Sequence, residues 1–111
     1  MLTVSRLMRT FDDAWLVCGY QRGSITSPAE GERVGRFTTV YGVGPAGRTV
    51  EVSVLPQSDV WYYQGSARID EDGEWDLACW IGNDETPPGL RFTISAKCDN
   101  GQRAVRHVRS R

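Results

Sequence analysis

Arg48-Thr49-Val50-Glu51-Val52-Ser53-Val54-Leu55 sets a valine at every second position, with Thr49, Glu51 and Ser53 between them. Successive side chains of an extended chain point to opposite faces, so this segment has one apolar and one polar side. It reads as a strand half buried in a sheet. Working outward, the same period of two recurs on both sides. Upstream, Val34 to Val43 alternates as Phe37, Thr39, Tyr41 and Val43 before Gly42, Gly44, Pro45 and Gly47 break the run. Ser24-Ile25-Thr26-Ser27 is a shorter strand stopped by Pro28, with a turn at Glu30-Gly31-Glu32.

Downstream, Pro56 to Asp59 connects to Val60-Trp61-Tyr62-Tyr63-Gln64, which is aromatic on both faces. Ala67-Arg68-Ile69 leads to Asp72-Gly73, a strong hairpin signal. The return strand carries Trp75, Leu77, Cys79 and Ile81 on one side and Asp76, Ala78 and Trp80 on the other. After the loop from Gly82 to Gly89, Leu90, Phe92, Ile94 and Ala96 alternate against Arg91, Thr93 and Ser95. Asn100-Gly101 is a second hairpin signal, and Arg103 to Val108 a last strand. Seven or eight short antiparallel strands with almost no helix predict an all-β fold of two sheets packed face to face. The expected core is Phe37, Tyr41, Val50, Val52, Val54, Trp75, Leu77, Ile81, Phe92 and Ile94.

A chain of 111 residues has room for one β-sandwich domain, assigned to residues 21–111. Residues 1–20 read as an N-terminal arm or short helix. Val4, Leu7, Met8, Phe11 and Trp15 fit one helical face, while Ala14 to Tyr20 reads equally well as a strand. Either way the apolar side needs a surface to pack on: this domain, a second copy, or a neighbouring domain.

Several of these pieces together resemble bacterial immunoglobulin-like β-sandwich modules. The resemblance rests on Ser24-Ile25-Thr26-Ser27-Pro28 with Gly31, Trp61-Tyr62-Tyr63-Gln64, Asp72-Gly73-Glu74-Trp75, Gly82, Gly89, and Phe92-Thr93-Ile94. It covers about residues 24–96, and its motifs are signatures of core and turn. What it implies is a non-catalytic interaction or structural module, accessory to a bacterial system or part of a longer protein.

Thirteen basic and fourteen acidic residues leave a net charge of -1, so no global basic field draws the chain to nucleic acid. Local clusters exist: Asp70, Glu71, Asp72, Glu74 and Asp76 at one turn, and a basic patch of Arg103, Arg106, Arg109 and Arg111 at the end. The acidic turn imitates a calcium loop only superficially. Its flanks read as strands, and the twelfth position from Asp70 is Ile81, which cannot ligate. His107 is the sole histidine, which argues against a zinc site, and no cofactor is expected. Cys98 and His107 are the only candidate nucleophile pair, with no orienting third group evident. No catalytic motif is legible, and the expectation is that the chain is not an enzyme. An odd count of three cysteines, Cys18, Cys79 and Cys98, excludes a fully paired disulfide framework. Three reduced thiols are expected, with one bridge and one free thiol left open. No apolar run approaches the roughly 18 residues of a membrane span, and the N-terminus makes a poor secretory signal. The default location is therefore cytoplasmic, or exported as part of a larger surface protein.

Four tryptophans and four tyrosines exceed what one small core readily absorbs. The expected binding surface comprises Trp80, Trp61 and Tyr63 with Leu7, Phe11 and Trp15 of the N-terminal segment, serving a protein partner or self-association. The alternative is a carbohydrate-binding module using Trp80 with Trp61 or Tyr63, and a minor one an OB-like binder of single-stranded nucleic acid. Under a blander reading, Trp80 sits beneath the Gly82–Gly89 loop or the N-terminal segment.

Overall fold

The computed structural model describes residues 23–57 and 60–111. Leu7, Phe11, Trp15 and Cys18, and the arm, helix or strand expected of the first twenty residues, lie outside the described residues.

Eight strands are present: β1 (Ser24–Ser27), β2 (Arg33–Val34), β3 (Phe37–Val43), β4 (Thr49–Leu55), β5 (Tyr62–Arg68), β6 (Glu74–Trp80), β7 (Arg91–Cys98) and β8 (Arg103–Ser110). They form a three-stranded sheet in the order β1-β3-β6 and a five-stranded sheet in the order β2-β8-β7-β4-β5. The chain has the expected all-β, two-sheet sandwich, with no helix among the described residues. One pairing departs from the expected antiparallel pattern. The two-residue strand β2 runs parallel to β8, Arg33 opposite Arg109; five other strands separate the two in sequence, so no hairpin imposes an antiparallel direction on them.

Between the sheets lie Ile25, Val34, Val40, Val50, Val52, Val54, Ile69, Trp75, Cys79, Ile81, Phe92, Ile94, Ala96, Cys98 and Val108. Most of the expected core is here, and Leu77 is partly buried against it. Phe37 and Tyr41 are corrections: they are 58% and 49% exposed, while Val40 between them is fully buried. The reason is Gly42, which shares Val40's face and stands opposite Trp75 across β3 and β6. A Cβ at Gly42 would come within 2.3 Å of the Trp75 ring. The missing side chain leaves the volume that the indole fills, and this sets the inward face of β3 one residue away from the aromatic alternation.

The expected hairpin at Asp72-Gly73 is also corrected. β5 and β6 are not hydrogen-bonded neighbours, since β5 pairs with β4 and β6 with β3. The turn instead carries the chain from one sheet to the other. Asp70 builds it: its Oδ1 accepts the N–H groups of Asp72 and Glu74, each at 2.9 Å. Gly73 takes the left-handed conformation the turn requires, with φ 79°. Ile69, buried just before it, plugs this end of the core. The Asn100-Gly101 signal does mark a hairpin, which joins β7 to β8 within one sheet.

Candidate functional site

The polar sides of β4, β7 and β8 form the outer face of the five-stranded sheet. Two registers assemble its centre. Ser53 stands opposite Ser95, which stands opposite Val105; one step along, Glu51 stands opposite Lys97, which stands opposite Arg103. Trp61, just before β5, closes one side. Together Glu51, Ser53, Trp61, Ser95, Lys97 and Arg103 line an open depression of about 230 Å³. Ser95, on this outward face, is only 6% exposed, whereas Trp61 remains 44% exposed. The floor is thus two hydroxyl-bearing residues, one wall is an indole, and the rim holds two cations and one carboxylate.

Lys97 and Arg103 are the telling pair. Like charges directly opposite on neighbouring strands are unfavourable by themselves. Glu51 beside Lys97 offsets part of that repulsion and leaves one positive charge in excess. A ligand of this depression must be small. Its volume lies below the usual range of about 300–1,000 Å³ for drug-sized sites, so it admits a single ring and not a dinucleotide.

The predicted surface residues fall in three places. Trp61 walls the depression. Tyr63, on the same face opposite Ser53, is exposed. Trp80 belongs to the other sheet: its ring lies 4.7 Å from that of Phe37, its cross-strand partner, with the planes tilted at 54°. It is 59% exposed, so the Gly82–Gly89 loop does not cover it. The backbone N–H of Trp80, at the edge of its sheet, donates to Gln64 Oε1 at 2.8 Å and ties β6 to β5.

The four C-terminal arginines are not gathered on one face. Arg103 joins the depression, while Arg106 turns inward and donates to the Ile25 carbonyl. Arg109 donates to the Gly89 carbonyl at 2.9 Å, and Arg111 to the Arg33 carbonyl at 3.3 Å. Three of the four hold loops and edges together. The acidic turn likewise spends Asp70 on its own backbone.

Cys98 and His107 do not meet. His107 stands opposite Thr93, five residues along β7 from Cys98, which is about 16 Å of strand. The imidazole is engaged by Glu30, whose carboxylate lies 2.8 Å from Nδ1 and also accepts the His107 backbone N–H at 3.1 Å. Those bonds, the backbone one foremost, hold the Glu30 carboxyl below its ordinary value of 4.5. Cys79 and Cys98 are free and buried. Burial pushes the Cys79 thiol up to about 11, which suits a core residue and not a nucleophile. Among the described residues no three His, Cys, Asp or Glu side chains gather to hold a metal ion. Nor is any helix among them long and apolar enough to cross a membrane.

No protein-family model and no curated protein matches the chain. Solved structures do. Superoxide reductase (neelaredoxin) from Ignicoccus hospitalis superposes with a TM-score of 0.52 at 10% identity, over 82% of this chain and 81% of that one. A variant of the same protein gives 0.51 at 8% identity, over 84% and 82%. The RIG-5 IG1 homodimer structure is more distant, at 0.44 and 8% identity, over 81% and 96%. At such identities the likeness is one of fold.

That likeness corrects two expectations. They are that the chain is a non-catalytic interaction or structural module and that it is not an enzyme. A similar sandwich is found in superoxide reductases, which are catalysts. Core and turn signatures describe a scaffold that hosts either kind of protein, so they do not exclude catalysis. Of the immunoglobulin-like resemblance, the two-sheet all-β architecture is what stands.

Proposed function

We propose that this chain binds a single-ring anion, a ring bearing a carboxylate, sulfate or phosphate, on the outer face of its five-stranded sheet. The observation that supports this is the depression in which an indole wall faces two directly opposed cations. Trp61 stacks on the ring, whether aromatic or saccharide, because its face is flat, apolar and half exposed. Lys97 and Arg103 take the anionic group, and the ligand relieves their mutual repulsion. Ser53 and Ser95 supply hydroxyls at the floor, and the Glu51 carboxylate accepts from ligand hydroxyl or amine groups. Of the partners read from the sequence, this reading is nearest to the glycan, narrowed to a charged, monocyclic unit.

The test is a two-dimensional amide NMR titration of the full chain with four probes: glucuronate, benzoate, inorganic sulfate and glucose. Glucuronate or benzoate is expected to shift the Trp61 indole and the Ser95 and Lys97 amides, with affinity in the millimolar range or tighter. Sulfate should move Lys97 and Arg103 alone, and glucose nothing. Trp61→Ala should weaken the ring ligands at least tenfold, and Lys97→Met with Arg103→Met should remove the preference for anions. Equal binding of glucose and glucuronate, or no shift at the depression with any probe, would overturn the reading.

A further inference from the structure

We propose that the ring held in the depression is one unit of a linear acidic polysaccharide, whose chain runs along β7 and β8 to a second row of cations, Arg91, Arg109 and Arg33. This rests on the reading of the depression given above and names the class of its ligand.

The second row is a product of register. Arg91 stands opposite Arg109, and Arg109 opposite Arg33 across the parallel pair. Their neighbours Phe92, Val108 and Val34 are buried, so the three arginines lie on the outer face, the one that holds the depression. Adjacent strands are about 4.8 Å apart, so three like charges fall within about 10 Å, which is unfavourable unless something offsets it. No carboxylate does. Among the described residues the ion pairs join Arg36 to Asp84, Arg48 to Asp99 and His107 to Glu30. Two of the guanidiniums also converge on one residue. Arg109 Nη1 donates to the Gly89 carbonyl at 2.9 Å, and a Cβ at Gly89 would stand 3.9 Å from Arg33 Nη1. Gly89 is held in turn by its N–H, which donates to the Ser110 carbonyl at 2.9 Å.

Two cationic rows on one face define a path. Lys97 and Arg103 form one row and Arg91 and Arg109 part of the other, six residues along each strand, which is about 20 Å. Between them Thr93 stands opposite His107 and Ser95 opposite Val105, so β7 and β8 set hydroxyls and an imidazole along the path and no carboxylate. Glu30, beside it, is engaged by His107. A ligand that meets both rows is a chain with anionic groups along its length.

The depression selects the kind of chain. Its indole wall and its cations face each other across about 230 Å³, so the stacking ring and the anionic group belong to one unit. A uronate or sulfated sugar is built in that way. In nucleic acid a ribose stands between the stacking base and the phosphate, and the depression has room for one ring. The second row holds no small ion by itself, because its arginines are exposed and exposed ion pairs are weak. It acts on a chain that the depression has already brought near, at an effective concentration in the millimolar range.

Amide NMR titration of the full chain with oligogalacturonates, from the dimer to the octamer, tests the proposal. Every length is expected to shift the Trp61 indole and the Lys97 amide, and only the longer ones the amides of Arg91 and Arg109. Affinity should rise at least about tenfold from dimer to octamer. In Arg33→Gln/Arg91→Gln the octamer should bind no tighter than the dimer. Affinity that does not grow with length would overturn the polymer and leave the single ring in place. Growth that survives the double substitution would overturn the role of the second row. Shifts at Arg91 and Arg109 with none at Trp61 would overturn both this proposal and the reading of the depression. An oligothymidylate of equal charge that binds as tightly as the octamer would overturn the saccharide class. Should the variant melt below the wild type, the wild-type shifts at Arg91 and Arg109 decide: their dependence on length supports the path, and their absence refutes it.

Discussion

Replacing Gly42 by alanine puts a methyl group where Trp75 already is. The added Cβ would stand 2.3 Å from both Cε2 and Cζ2 of the indole and 2.6 Å from the Ser24 carbonyl oxygen. Carbon atoms in contact sit about 3.5–4.0 Å apart, so the overlap with the ring exceeds roughly 1 Å. The backbone of β1 closes the other side, and Trp75 has nowhere to retreat within a core whose neighbours are buried. If the strands spread to keep the ring inside, overpacking costs about 1–3 kcal/mol. If Trp75 is expelled, the loss approaches that of a Trp-to-Ala change, about 3–5 kcal/mol. The carbonyl contact blocks the cheaper route, so the prediction for Gly42→Ala is about 3 kcal/mol or more. That corresponds to a fall in Tm of roughly 12 °C or more.

Urea unfolding followed by circular dichroism and by tryptophan emission measures both the loss and the ring's exposure. Gly35→Ala is the control, since nothing lies within 4 Å of its added Cβ, and should change stability by under about 0.5 kcal/mol. Adding Trp75→Leu to Gly42→Ala should cost less than the sum of the single changes, because each relieves the conflict that the other meets. A Gly42→Ala protein within about 1 kcal/mol of the wild type, with unshifted emission, would refute the packing argument for the face of β3.

The same face assignment predicts that Val40→Ala costs about 2 kcal/mol in a urea titration and Tyr41→Ser under about 1 kcal/mol; the reverse order would restore the aromatic alternation. Asp70→Ala should remove roughly 1 kcal/mol by depriving the Asp72 and Glu74 amides of their acceptor, while Asp70→Asn, which keeps an acceptor oxygen, should be near neutral. Glu30 gives a pH dependence with a definite sign. Its folded pKa lies below the unfolded value, so its contribution is full above about 4.5 and is lost as pH falls through the lower folded value. Thermal melts should therefore separate wild type from Glu30→Gln at pH 7 and bring them together toward pH 3; a gap that stays constant with pH would show that the bond to His107 does not set the carboxyl's titration.

The strands were legible because period-two alternation is a local property. Val50, Val52 and Val54 declare an inward face without help from any neighbour, and Trp75, Cys79 and Ile81 do the same. The turn at Asn100-Gly101 is equally local. Where one residue has two neighbours of similar polarity, the pattern is silent. Phe37 and Tyr41 outweigh Val40 in apolar area, yet only the indole of a strand distant in sequence shows that Gly42 must face inward. Asp72-Gly73 signals a reversal of direction and cannot say into which sheet the returning strand goes.

The candidate site divides along the same line. Trp61 is legible by its type and Arg103 by its charge. Alternation alone puts Glu51, Ser53 and Ser95 on the polar sides of their strands, and nothing local marks Lys97. Their meaning comes from β7 lying between β4 and β8, with Glu51, Lys97 and Arg103 in one row. The class of function is not legible in the sequence for a related reason. Alternation and turn residues encode how a sandwich buries its apolar area, a requirement shared by every protein built on it, whatever its chemistry. Local residue pattern thus determines that this chain makes strands and two layers, because burial and backbone pairing act over a few residues. Which side chains share a face, and so what that face can hold, is decided only when strands far apart in sequence are brought into register.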